Sequence, residues 1–294
     1  MVNRLTSKEI RTPLLEEVLA QSIEFRGDSP LFEIYAVCLQ LFTNFEERQY
    51  RLFKKLVFNN LDQLSQQEQV SIFTLLINHT AHAMRIDKNF NKDALEIYRF
   101  GMTHSLLEED GHIVMNHFIN YVNMLCSEGR TRTANLFVNE FSKKLDGTVR
   151  EQIVKIALSR ILLTEKKYKE AFSTLYKKGF KNLQLRLMAR VNRLVACYEW
   201  HIHGDEDMEI EGNLIFIDDE TEAFRKGLSR IKSSMGDKSE VILANLNFSK
   251  FLRLLIQQGK EQDVESAKAL LREKLKEYNY LILRTWLEEK IEEL

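Results

Sequence analysis

The chain has 294 residues, and its 42 Lys and Arg against 43 Asp and Glu leave a net charge of −1, so the total charge points to no class of partner. A chain of this length buries roughly 75% of its unfolded surface and needs no covalent staple. With 44% hydrophobic and 29% charged residues, 11 Gly and only 2 Pro, the composition excludes disordered, collagen-like and disulfide-scaffold classes and fits a helix-rich protein.

The opening MVNRLTSKEIRTPLL is too charged for a leader's apolar segment, and nothing approaches the ~20 apolar residues of a bilayer span, so a cytoplasmic protein without membrane attachment is expected. Pro13 follows Thr12 and Pro30 follows Ser29, the order of a capping residue and a first-turn proline. Helices are therefore expected over 12–25 and 29–44, and residues 1–64 read as amino-terminal capping helices. Ser65 with Glu68 forms a capping box that opens a repeat region over 65–203. Apolar residues then recur at helical spacing, as in Val70, Phe73, Leu76, Ile77 and Met84, or Ile113, Phe118, Tyr121, Val122 and Leu125. Gly111, Gly129, Gly147, Gly179, Gly236 and Gly259 fall between the periodic runs, giving about a dozen helices with short connections. Cys38, Cys126 and Cys197 lack paired spacing and sit among apolar residues, as reduced core thiols do.

Periodicity fails over 204–219, GDEDMEIEGNLIFIDD, which reads as a loop with room for one short strand around Leu214, Ile215, Phe216 and Ile217. The segment 204–220 is taken as an acidic insertion, a plain one or a docking lid, ahead of carboxy-terminal repeats and a cap over 221–294. Charge is segregated around it. Residues 143–193 carry 14 Lys and Arg against 4 acids, whereas 194–222 carry 10 acids and no base.

Five stretches share a pattern: NKDALEIY, TRTANLFV, YKEAFSTL, ETEAFRKG and VESAKALL. Their alanines, at 94, 134, 171, 223 and 267, are small enough for two helices to approach closely, and Tyr98, Val138, Leu175 or Leu271 packs four positions on. The intervals are 40, 37, 52 and 44 residues, the longest containing the acidic insertion. This resembles the tetratricopeptide-like helical repeats, most clearly in KKYKEAFSTL, where Tyr168, Ala171 and Leu175 match the turn aromatic, small residue and packing residue. The period exceeds the family's usual spacing of about 34, and the Trp, Leu-Gly and Tyr pattern is missing from the first helices. The resemblance implies an all-α fold, an α-solenoid of antiparallel helix pairs in a TPR-like right-handed superhelix, closed by 279–294, and a protein- or peptide-binding scaffold without chemistry of its own.

If first helices line a shared wall, their polar stripes name what it binds. Asn78, His82 and Arg85, then Asn116, Asn120 and Asn123, then Arg186, Arg190 and Arg193 each occupy positions i, i+4 and i+7, while Lys155, Ser159 and Leu162 match imperfectly. Asparagine amides suit an extended backbone and arginines fork onto carboxylates or phosphates, so a groove for an acidic peptide follows, against the plainer reading that every helix needs a wet face. The chain's own Asp205 to Glu211 is an alternative occupant of the arginines.

Nucleic acid is the competing partner for the basic block 143–193, where Tyr168, Phe172, Tyr176 and Phe180 are interleaved with lysines, although that spacing reads first as core. Glu199, His201, His203 and Asp205 are the best metal set, yet His201 and His203 diverge on a helix and no HEXXH stands here. His79 with His82, and His112 with His117, each pair one histidine near an apolar face with one on a wet face. DEDMEIEG fails the EF-hand spacing, and no Walker loop, GxGxxG or GxSxG appears, so no enzyme and no cofactor are expected.

Overall fold

The computed structural model describes residues 30–176, 179–180, 182–203, 214–235 and 240–294, and is all-helical apart from one two-residue hairpin among them. Thirteen α-helices are described: α1 Pro30–Thr43, α2 Glu47–Asn60, α3 Gln66–Ile86, α4 Asn91–Thr103, α5 Met115–Ser127, α6 Thr131–Phe141, α7 Arg150–Thr164, α8 Tyr168–Tyr176, α9 Leu183–His203, α10 Leu214–Met235, α11 Glu240–Gln258, α12 Val264–Lys276 and α13 Arg284–Glu293. Most pack on their neighbours in the chain, and α9 also rests on α7.

Local chemistry explains the boundaries. Pro30 opens α1, where a missing N–H costs nothing because the first turn has no intrahelical acceptor for it. At the start of α3 the Ser65 hydroxyl accepts from the Glu68 backbone N–H while the Ser65 N–H donates to the Glu68 carboxylate at 2.9 Å, the expected capping box. After α7 the chain turns back within three residues: the Lys167 N–H donates to the Leu162 carbonyl at 2.9 Å and the Lys166 N–H to that of Leu163 at 3.1 Å, with Lys166 left-handed at φ 60°. The hairpin pairs Glu108 with Ile113 and Glu109 with His112 across Asp110 and Gly111, both at positive φ, which is the turn chemistry that an Asp-Gly pair supplies.

The described chain forms two compact units. The first holds residues up to Glu128 together with Lys144–Asp146, and the second holds Gly129–Lys143 and Gly147–Leu294. Tyr50, Phe53, Phe73 and Phe118 are fully buried in the first, as are Phe172, Phe248 and Phe251 in the second. Ala94, Ala134, Ala171 and Ala267 are buried as the repeat pattern requires, and Tyr98, Val138, Leu175 and Leu271 are buried with them. Ala223 departs from the pattern: it is exposed, and Gly227 stands where the packing residue was sought.

One boundary is corrected. Leu214–Ile217, expected within a loop or short strand, is the first turn of α10. Ile217, Thr221, Phe224 and Leu228 are buried at three- and four-residue spacing, so a face packed on neighbouring helices overrides the β-type appearance of the apolar tetrad. The expected helix over 12–25 and the acidic stretch Asp205 to Glu211 lie outside the described residues. No described helix is long and apolar enough to cross a membrane.

Candidate functional site

Helix α9 buries Leu185, Leu187, Val191 and Leu194, which leaves Arg186, Arg190 and Arg193 together on another strip. That strip borders a cavity of about 520 Å³ in the second unit, walled by Leu175 of α8, Phe180, Leu183 and Leu187, and by Phe224 and Ile231 of α10. The void exists because α10 presents Ala223 and Gly227 to it, one turn apart; a Cβ built at Gly227 meets nothing within 4 Å. Its size falls in the range of ligand-binding clefts and cavities, roughly 300–1,000 Å³.

The arginines are not the open row that the sequence suggested. The Arg190 Nη2 donates to the Glu220 backbone carbonyl at 2.9 Å and lies 2.9 Å from the Glu220 carboxylate, to which Arg193 also donates. The reason is the register of α10, which sets an acid across from two guanidiniums that would otherwise face each other with like charge. The pairing is incomplete. The Arg190 Nε–H is buried without an acceptor among the described residues, and a buried group left so costs about 1–3 kcal/mol. Burial also draws the Arg190 pKa below its ordinary value. Arg186 is exposed and touches no acid among the described residues. The next acid of α10, Glu222, is held by Arg225 and by Arg253 of α11, and these pairs bring its pKa down to about 2. It is therefore committed to holding helices together.

The other expected stripes belong to the first unit. Asn78 and His82 are exposed on α3, with the His82 ring 5.3 Å from that of Phe45; Arg85 is helical there, and its side chain is outside the described set. Asn116, Asn120 and Asn123 are exposed along α5, the Asn120 amide donating to the Tyr98 hydroxyl at 3.4 Å. The polar strip of α7 fails at Ser159, which is buried and accepts from the Asn192 amide at 3.0 Å. Sequence spacing thus brought the three arginines to one cavity and the three asparagines to one helix face. It missed Glu220, Gly227 and the apolar walls; the small residues Ala223 and Gly227 at i and i+4 were the available signal.

Of the metal set, Glu199 is buried and accepts from the Lys290 ammonium at 3.0 Å and from the Trp286 indole N–H, and His203 lies 3.3 Å from it, so the carboxylate anchors α13 to α9. Asp205 lies outside the described residues, and no described group of three His, Cys, Asp or Glu is placed to hold a metal ion. The lysine-interleaved aromatics include Phe172, which is buried in the second unit's core and has no face for a base. His79 and His117 are the buried and half-buried members of their pairs, His82 and His112 the exposed ones. Compared with known protein families, curated proteins and solved structures, the chain matches none of them.

Proposed function

We propose that this chain is a non-enzymatic scaffold of TPR-like paired helices, arranged as a right-handed solenoid, that binds a segment of a partner protein. The recognition point is the cavity of the second unit, and the segment carries an acidic group beside apolar side chains. A single observation supports this reading: apolar walls and Arg186, Arg190 and Arg193 converge on one void, where burial of an apolar anchor and a forked contact to an anion are available together. The exposed amides of Asn116, Asn120 and Asn123 offer a second polar surface in the first unit. Cys38, Cys126 and Cys197 are buried thiols rather than disulfides, which suits a cytoplasmic setting.

Fluorescence anisotropy with a labelled peptide of leucine and aspartate tests the proposal. Saturable binding is expected, weakened about tenfold or more by Gly227→Phe, which fills the void, and by replacing the leucines with alanine. Equal binding by the filled variant would remove the cavity from the account. The nucleic-acid alternative draws on the basic block 143–193. A labelled single-stranded oligonucleotide in the same assay, binding with a steep salt dependence, would favour it instead.

A further inference from the structure

We infer that the seat which α13 occupies on α9 and α11 is also a self-association surface: two copies of this chain exchange α13, pivoting at Leu283, and each fills the other's seat. Four residues apart on α13, Trp286 and Lys290 meet one buried carboxylate. The Glu199 side chain of α9 accepts from the Trp286 indole N–H and, at 3.0 Å, from the Lys290 ammonium. The Trp286 ring stands edge-on to Tyr198 of α9 at 5.6 Å and lies 6.2 Å from Phe248 of α11, while Leu287 and Ile291 are buried beside it. Such a seat is selective. Glu199 is only 6% exposed, so an empty seat would leave a carboxylate buried without its cation, a far costlier state than a seat filled by a matching helix. The occupant must bring an indole and an ammonium at i and i+4, and a second copy of this chain brings both. None of these residues lines the cavity described above.

The connection supplies the reason for exchange. Residues 277–283 join α12 to α13, and the last of them, Leu283, is left-handed at φ 53° and ψ 33°. A leucine rarely holds that conformation, because its Cβ crowds the following carbonyl oxygen. Folding α13 back on its own chain therefore keeps the pivot strained, and a return of Leu283 to an extended backbone swings α13 away and releases the strain. The remaining bonds of α13 are remade in the exchanged form. Arg272 of α12 pairs with Glu292 at 2.6 Å, the Lys268 ammonium donates to the Glu292 carbonyl at 2.9 Å, and Arg284 donates to the Leu275 carbonyl at 3.0 Å, all groups that a second copy offers in the same geometry. Closed and exchanged forms thus differ at the pivot and in the entropy of association, which a higher protein concentration offsets.

Two charge reversals test the exchange. In Glu199→Lys the seat and its own helix both present an ammonium, and in Lys290→Glu both present a carboxylate, so neither variant closes well on itself. Mixed in equal amounts they match only across chains, the altered seat of one with the altered helix of the other and the natural seat with the natural helix. Light scattering after gel filtration is expected to show each variant alone as a monomer and the mixture as a dimer of one chain of each, with the thermal midpoint raised towards that of the natural protein. The natural chain should itself dimerise as concentration rises, and Leu283→Gly, which accepts the left-handed pivot without strain, should lower the association constant about fivefold or more. A mixture that stays monomeric, with the midpoints of its separate components, would overturn the exchange. Should both reversals fail to fold by circular dichroism, the natural chain and Leu283→Gly decide it: a natural chain that is monomeric at every concentration, or a dimer that Leu283→Gly leaves unchanged, overturns the exchange equally.

Discussion

His79 stands in the core of the first unit with its ring 4.5 Å from that of Phe42 and 5.7 Å from that of Phe53, and its Nε2 3.6 Å from the Cys38 sulfur. Burial, with a smaller contribution from His82, holds its pKa at about 4 against an ordinary 6.5. The same environment pushes the Cys38 thiol up to about 12, so this pair is neutral and inert rather than a nucleophile with its base. The sign for folding follows. Below pH 6.5 the unfolded chain takes up a proton that the folded chain refuses, so stability falls as pH drops from 6.5 towards about 4 and this contribution levels off below that. Denaturant midpoints measured across this window are expected to decline more steeply for the natural protein than for His79→Gln. Parallel slopes would show that another group carries the effect. Sequence spacing gave one histidine of the His79 and His82 pair an apolar face without deciding which, and the sulfur beside His79 lies 41 residues away, out of reach of any local pattern.

Helices α3 and α4 approach at Gly101, where an added Cβ would overlap the Phe73 ring and crowd Leu107. In an exposed helix alanine would be the better residue by roughly 1 kcal/mol. Here overpacking, at about 1–3 kcal/mol, should win, because the Phe73 ring is fully buried and has no room to retreat. Gly101→Ala is expected to lower stability in chemical denaturation, and adding Phe73→Leu should recover part of the loss; additive losses in the double variant would rule out the steric cause. A lone glycine in a periodic run reads as a helix breaker from sequence, whereas this one is a contact point. The opposite lesson comes from α13. Burial alone would lower the Lys290 ammonium's pKa, yet bonds to Glu293 and Glu199 hold it above its ordinary value, tying together elements about 90 residues apart by a pair no sequence pattern announces.

The division into two compact units has a direct test. Each unit has its own set of fully buried aromatic residues, so a fragment spanning 129–294 should unfold cooperatively by itself, with a sigmoidal thermal transition in far-ultraviolet circular dichroism. A gradual, non-cooperative melt would show that this core depends on residues outside the fragment. Helical content, the Ser65 capping box, the four buried alanines and the burial of the three cysteines followed from the sequence, because propensity, capping and periodicity act within a few residues. The start of α10 at Leu214, the pairing of Glu220 with Arg190 and Arg193, and the void opened by Gly227 were decided by the packing of α8, α9 and α10. Each depends on which faces of separate helices meet, and that relation is set by side-chain volume and charge across distances a local window does not contain.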